Sequence, residues 1–437
     1  MGLTAKVLIG MLLGIIVGLA INLSGFNVEN SFVSIYLVDG LFHVVGKLFI
    51  NALKMLVVPL VFFSLICGVC GIGDIKLLGR IGTKAFLLYM LTTAIAVASA
   101  IAIAGMAKIG ANMNAETAVE FGGREPPPLT EVIINIVPSN PIAAMANGEM
   151  LSIIFFAVLT GVSFLMVGKK VTPLVNGVSL ANEVMMKMVE VIMAVAPYAV
   201  FCLLAKAMAQ LGTELLTQLI GYALVLVLVL FFHLFVTLQI VLKVFSGLSP
   251  RMFLKKIRSA QIFAFSTASS NATIPVTMRA VSQRMGVDNS VASFTVPFGA
   301  TINMDGTAIM QGVATVFIAN VSGVELGVTG YLTVILMSVL ASIGTAGVPG
   351  VGLIMLSMVF SQVGLPVEGI GLIIGIDRLM DMIRTAVNVS GDGVVSCIVA
   401  KSEGKLDTQA FNDPDAGHID VHESLHINSI PQPGTDD

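Results

Sequence analysis

Charge is what this sequence has least of. Asp, Glu, Lys and Arg make up 11% of its 437 residues, whereas a soluble domain carries about 25%. With less than half the usual solvated surface, a soluble protein of this size is excluded, and 56% hydrophobic content excludes a disordered or collagen-like chain. Cysteine is scarce too. Cys67, Cys70, Cys202 and Cys397 all sit in apolar segments, so no disulfide scaffold is present. Cys67 and Cys70 form a CxxC, which in a soluble βαβ setting would suggest redox chemistry. Within VFFSLICGVCGIG they read as small residues of a membrane helix. Short alternating strands, which a closed barrel needs, are also missing, because the apolar runs are long and continuous. What is there is a mean hydropathy of +0.96, and it points to an all-α polytopic membrane protein.

Six long hydrophobic stretches precede residue 250, near 7–23, 37–70, 82–107, 129–168, 172–210 and 214–246. About 20 residues cross a bilayer, so several can tilt or bend. The first follows only Lys6 and has no convincing small-residue cleavage site, so it reads as an uncleaved span. Its Gly10, Gly14 and Gly18 suit close helix packing. The connecting charges orient the rest. Lys6, then Lys76, Arg80 and Lys84, then Lys169 and Lys170, then Lys243, Arg251, Lys255, Lys256 and Arg258 mark one side. Glu29 and Asp39, then Glu116, Glu120, Glu125, Glu131 and Glu149, then Glu214 mark the other. The basic side is cytoplasmic and includes the amino terminus. The longest external link, roughly 109–148, holds Gly122-Gly123 and Pro126-Pro127-Pro128, which mark an exposed loop.

After residue 250 the pattern breaks into short, interrupted pieces. Residues 252–265 lead into Ser266-Thr267-Ala268-Ser269-Ser270-Asn271-Ala272-Thr273-Ile274-Pro275. A span over 288–318 is interrupted at residues 301–307. Residues 329–341 end in a Gly/Pro-rich tip over 342–352, residues 353–363 turn back, and a last span runs over 364–402. The order hairpin, span, hairpin, span is an internal repeat, giving eight transmembrane helices plus two re-entrant hairpins. Irregular backbone inside a membrane is tolerated only where protein buries it or water lines it. Paired interruptions at matching places of two repeats point to a transporter binding site.

The last span carries Asp377, Asp381, Arg384, Asn388 and Asp392 at spacings of 4, 3, 4 and 4, one helical face. Each ionisable group inside a span costs on the order of 3 kcal/mol, so this face must meet a cavity, its own members, or bound cargo. Asp381 can neutralise an ammonium and Arg384 can hold a carboxylate through two parallel hydrogen bonds. Thr385 and Asn388 can bond either end, and the Ser269-Ser270 tip offers free amide donors to a second carboxylate. An acidic amino acid matches this set. Asp305 and Asp392 have no arginine to spare. With Asn303, Asn388, Tyr89, Thr92 and Thr93 they supply hard oxygens spread over three segments, which suits a monovalent cation such as Na⁺ better than a divalent one.

Residues 269–277 (SSNATIPVT), 303–307 (NMDGT), 342–352 and the pattern D-x3-D-x2-R-T-x2-N-x3-D over 377–392 resemble the dicarboxylate/amino acid:cation symporter family, which includes glutamate and aspartate transporters. The resemblance covers residues 1–402. It implies a homotrimer in the plasma membrane, a prokaryotic inner membrane, with inverted repeats and both termini cytoplasmic. A scaffold would comprise about 1–77 and 129–210, and a transport domain about 78–108 and 212–402 that moves like an elevator, with the second hairpin as gate. It also implies substrate contacts at Ser270, Thr307, Val348, Gly352, Asp381, Arg384, Thr385 and Asn388, beside Ser269. Sodium sites would form at Gly299, Asn303, Asn388 and Asp392; at Thr301, Ser342, Ile343 and Thr345; and at Tyr89, Thr92, Thr93, Asn303 and Asp305. Two arginine positions that occur in the family are here Ala268 and Met382.

The function so implied is sodium-coupled import of L-aspartate or L-glutamate, with a proton-coupled or C4-dicarboxylate symporter of the same family as the alternative. An intramembrane aspartyl protease would need two carboxylates sharing a proton, and the arginine and asparagine between these acids argue against it. A dedicated channel suits two occluding hairpins less well than alternating access. His43 and His233, in apolar runs, read as packing residues. Residues 403–437, with 8 acids and 1 base, read as a disordered polar tail, in which His418, His422 and His426 offer helical spacing for a metal.

Overall fold

The computed structural model describes residues 3–25, 31–70, 78–111, 134, 136–345, 347 and 349–416. Among them the structure is helical throughout, with a single isolated bridge between Val287 and Leu406. Five stretches are long and apolar enough to cross a membrane: Ala5–Leu23, Val33–Cys70, Arg80–Ala107, Ser152–Ala194 and Gly212–Ser246.

Helix α1 (Leu3–Leu23) lies along α7 (Ala196–Phe232). The glycine stripe makes this approach possible. A Cβ on Gly14 would sit 2.6 Å from the Phe201 carbonyl oxygen, and one on Gly18 would sit 2.5 Å from that of Ala205. Helix α2 (His43–Cys70) follows a π-helical stretch, Val33–Phe42, and packs on α5 (Met150–Val167) and α6 (Thr172–Ala194). Helix α3 (Thr83–Ala107) and the short α4 (Pro141–Asn147) stand between them in the chain.

The apolar stretch expected over 129–168 is divided. Residues 112–133 lie outside the described residues. Asn140 caps α4 by accepting from the Ile142 and Ala143 amides, and Gly148, at φ 71°, ends it. The span proper is α5. The stretch expected over 172–210 breaks at Val195, where Pro197 opens α7, and α7 itself is interrupted at Gly212 (φ 61°, ψ −146°).

The second half forms two antiparallel helix pairs. Helix α8 (Leu238–Ser246), entered through the π-helical His233–Thr237, leads to the first pair, α9 (Pro250–Thr267) and α10 (Ser270–Arg279). Then come α11 (Asn289–Ile302) and α12 (Asp305–Val321), separated by two non-helical residues. The second pair is α13 (Gly327–Gly344) and α14 (Val351–Gln362), followed by α15 (Ile370–Ser402) and the short α16 (Thr408–Asn412). Helix α15 runs through the centre, against α7, α8, α9, α11 and α12, while α13 and α14 touch α2.

The segment after Ser402 is not wholly a free tail. The Asp288 amide donates to the Lys405 carbonyl at 2.9 Å and the Asp407 amide to that of Gly286 at 2.8 Å. Phe411 is fully buried, with the Lys256 ammonium 5.8 Å from its ring centre. Burial of one aromatic ring and capping of a buried lysine outweigh the polar composition as far as residue 412. His418, His422 and His426 lie outside the described residues.

Candidate functional site

Four pieces of chain meet in the interior: the break between α11 and α12, the tips of both helix pairs, and the middle of α15. The break follows from its residues. Asn303 (φ −95°, ψ 88°) and Met304 (φ −113°, ψ 47°) leave the helical region. Ser342 takes over part of the lost hydrogen bonding, accepting from the Met304 amide at 2.9 Å and donating to the Ile302 carbonyl. Asn388 on α15 accepts from the Gly306 amide at 2.7 Å. Gly306 has to be glycine, because a Cβ there would come within 2.6 Å of the Arg384 carbonyl oxygen.

Arg384 is fully buried. Its guanidinium bonds Asp377 and, at 2.9 Å, Asp381 Oδ1, while Arg378 approaches Asp381 Oδ2 at 3.8 Å. Arg384 Nε has no acceptor and Asp381 Oδ2 receives no hydrogen bond. The stripe is thus partly paired within itself, with donor and acceptor capacity left over.

Beside it lies a narrow cavity of about 10 Å³, lined by Ser270, Thr307, Gly352, Thr385 and Asn388, with Ala268, Met304, Thr345 and Gly347 completing the wall. A Cβ on Gly352 would stand 3.4 Å from Arg384 Nη2, so glycine keeps the way to the guanidinium clear. That is room for about one water molecule, whereas ligand pockets begin at about 300 Å³, so a solute is admitted only if the tips part. Those tips touch. The Gly347 carbonyl accepts from Ser269 Oγ at 2.8 Å and from the Asn271 amide at 3.2 Å. Ser269, expected among the substrate contacts, spends its hydroxyl on this bond and on capping α10 at the Ala272 amide. Val348 lies outside the described residues.

Beyond Gly347 opens a larger cavity of about 300 Å³, bounded by Ser64, Cys67 and Gly68 of α2, Asn182 of α6, Asn271, and Ser293, Phe294, Pro297, Phe298 and Thr301 of α11.

The residues expected to hold cations fall into connected groups. Asn303 Nδ2 donates to Asp392 Oδ1 at 2.8 Å and to the Asn388 carbonyl at 3.0 Å, leaving Asn303 Oδ1 buried without a partner. Gly299 abuts this group, since a Cβ would fall 2.6 Å from Tyr89 Oη and against Asp392. On the other side Asp305 Oδ1 accepts from Thr93 Oγ1 at 2.6 Å and Thr92 Oγ1 at 3.3 Å. Tyr89 donates to the Thr295 carbonyl at 2.9 Å. Of the third expected set, Thr301 and the Ile343 carbonyl both lie near Gly68 and Ser342 bonds the Ile302 carbonyl, while Thr301 Oγ1 and Thr345 Oγ1 bond carbonyls four residues back in their own segments. Buried carboxylates beside an orphaned amide oxygen suit a small cation.

One member of this arrangement is absent from the expected set. His233 is fully buried and its Nε2 lies 3.0 Å from Asp305 Oδ2. The signal was available, because an ionisable ring inside the apolar run 214–246 is as anomalous as the acids of the last span.

A bundle of long apolar helices that encloses a buried arginine, four buried aspartates and a narrow polar cavity under two touching tips is a membrane carrier for a small charged solute. The sodium:dicarboxylate symporter family model matches residues 3–402, and the chain belongs to that family. It is a secondary transporter, not an enzyme. Among its relatives, the proton/glutamate-aspartate symporter of Escherichia coli (strain K12) is 34% identical, the alignment covering 92% of this chain and 93% of that protein. The proton/sodium-glutamate symport protein of Bacillus caldotenax is 33% identical, covering 93% and 96%. The C4-dicarboxylate transport protein of Bacillus subtilis (strain 168) is 32% identical, covering 93% and 94%.

Proposed function

We propose that this chain imports an acidic amino acid, L-aspartate or L-glutamate, together with sodium. The single observation that carries the reading is Arg384, fully buried beside the cavity with two aspartates to balance it and one donor to spare. A substrate carboxylate would engage Arg384, its ammonium Asp381, and its remaining oxygens Ser270, Thr307, Thr385 and Asn388. Val348 and Gly352 of the second tip would close over it. A C4-dicarboxylate has no ammonium for Asp381 and would leave that acid facing a like charge. Sodium would be held by Gly299, Asn303, Asn388 and Asp392; by Tyr89, Thr92, Thr93, Asn303 and Asp305; and by Thr301, Ser342, Ile343 and Thr345.

In this reading the two helix pairs are re-entrant, the chain has eight spans with both termini cytoplasmic, and three copies assemble. Residues 1–77 and 129–210 form the fixed scaffold, and 78–108 and 212–402 the part that slides. Support comes from how the two parts meet. Contact between α2 and the second pair runs alongside the 300 Å³ cavity, and Gly347 borders both that cavity and the narrow one beside the binding residues. The larger cavity is then the release route.

Uptake of labelled L-aspartate and L-glutamate into proteoliposomes, with and without an inward sodium gradient, tests this reading. Arg384→Ala is expected to abolish uptake of both, and Arg384→Lys, which keeps the charge but not the planar fork, to raise the KM at least tenfold. Unchanged aspartate affinity in Arg384→Ala would overturn the assignment, uptake indifferent to sodium but driven by a proton gradient would overturn sodium coupling, and stronger competition by succinate than by glutamate would favour the dicarboxylate reading.

A further inference from the structure

Asp305 and Asp392 are both buried at the cation groups, and neither forms an ion pair with an arginine or lysine among the described residues. A symporter must return without its cargo, and on that return no cation screens these acids. Asp392 keeps the Asn303 amide. Asp305 has two threonine hydroxyls on Oδ1 and the imidazole on Oδ2.

A carboxylate only accepts hydrogen bonds, so the hydrogen between His233 and Asp305 sits on Nε2. The other ring nitrogen, Nδ1, is buried without a partner, so the Asp305 bond is what fixes the ring. His233 opens the π-helical turn His233–Thr237, a distortion that often marks functional positions in a helix. From this turn, which also packs on α15, the ring reaches Asp305 at the start of α12.

We infer that His233 is a positioning residue that holds the Asp305 carboxylate during the empty return step, its Nε2–H taking the place that the coupling ion takes in the loaded step. This rests on the reading of Asp305 as a cation ligand. In the loaded carrier the ion neutralises Asp305 and the imidazole contributes little. In the empty carrier, without the imidazole, a carboxylate is left in an apolar interior with only two hydroxyls. His233 therefore governs net uptake, which requires the empty return, far more than exchange, which does not.

The test compares two modes in proteoliposomes: sodium-driven net uptake of labelled L-aspartate, and exchange of external label against internal L-aspartate with equal sodium on both sides. His233→Ala is expected to lower net uptake at least tenfold while exchange stays within twofold. His233→Gln, which restores an N–H donor, is expected to return net uptake to within about threefold. Parallel loss of both modes in His233→Ala without rescue by His233→Gln, or no change in either mode, would overturn the inference. Asp305→Asn separates this from the underlying reading. If its sodium dependence matches that of the unmodified chain, the cation assignment of the pocket fails. If its sodium dependence is lost while His233→Ala shows no split, only the role of His233 fails.

Discussion

Two aspartates lean on Arg384, and removing the guanidinium strands both in an interior that gives them no water. Breaking a buried pair costs about 3–5 kcal/mol, so Arg384→Ala is expected to lose thermal stability as well as transport, and replacing Asp377 and Asp381 by Asn in the same chain should recover part of the first without the second. Gly299 is a finer probe. Its missing Cβ is what leaves room between Tyr89 Oη and Asp392. Gly299→Ala is expected to shift the sodium activation of uptake at least tenfold to higher concentration while costing about 1–3 kcal/mol of stability from overpacking, measured by uptake titration and thermal unfolding. At this scale the acids and the arginine of the last span were legible because charge is improbable in an apolar run. His233 obeyed the same rule but stood alone, without the spacing that made the others conspicuous.

Elements tell a different story. The stripe of Gly10, Gly14 and Gly18 announced the packing of α1, and the helix breaks at residues 303–304 and at both tips followed from clusters of Asn, Ser, Gly and Pro. The divisions at Gly148 and Val195 were not evident. Asn140 and Gly148 act through local capping that a long apolar average conceals, and Val195 breaks because of a proline two residues on. Which tip residues touch was equally invisible, since it depends on residues 78 positions apart in the chain. Ser269→Ala removes both the α10 cap and the bond to Gly347. A lost cap costs about 1 kcal/mol, and the measurable signature is a lower unfolding midpoint together with a KM for substrate raised several-fold. Gly14→Leu is expected to separate α1 from α7, seen as a loss of folded protein in detergent.

Across the whole molecule, an ion-pair cluster is among the contacts that join the proposed scaffold to the part proposed to slide. Glu368, in the link before α15, accepts from Lys47 at 2.7 Å and Lys54 at 3.2 Å, both on α2. Partial burial pushes its carboxyl up, but the two lysines and its own backbone amide prevail and hold it down at about 2. A depressed carboxyl contributes stability above its ordinary value of 4.5 and loses it as the pH falls toward 2. The unfolding difference between the unmodified chain and Glu368→Gln is therefore expected to be flat from pH 5 to 8 and to vanish below it. Its size stays under about 1 kcal/mol, because the partners remain partly solvated. Flatness in that window also means that a pH dependence of uptake near neutrality has to come from elsewhere.

The stretch from Lys405 to Asn412 has a practical sequel for anyone handling this carrier. Lys256 gives its ammonium hydrogens to the Arg284 and Ala410 carbonyls and shelters under Phe411. A fluorescent reporter spliced in directly behind Ser402 would displace the lid over that cation and loosen the footing of the first helix pair. Such a fusion would report on a damaged machine, whereas one joined after Asn412 would leave the footing in place.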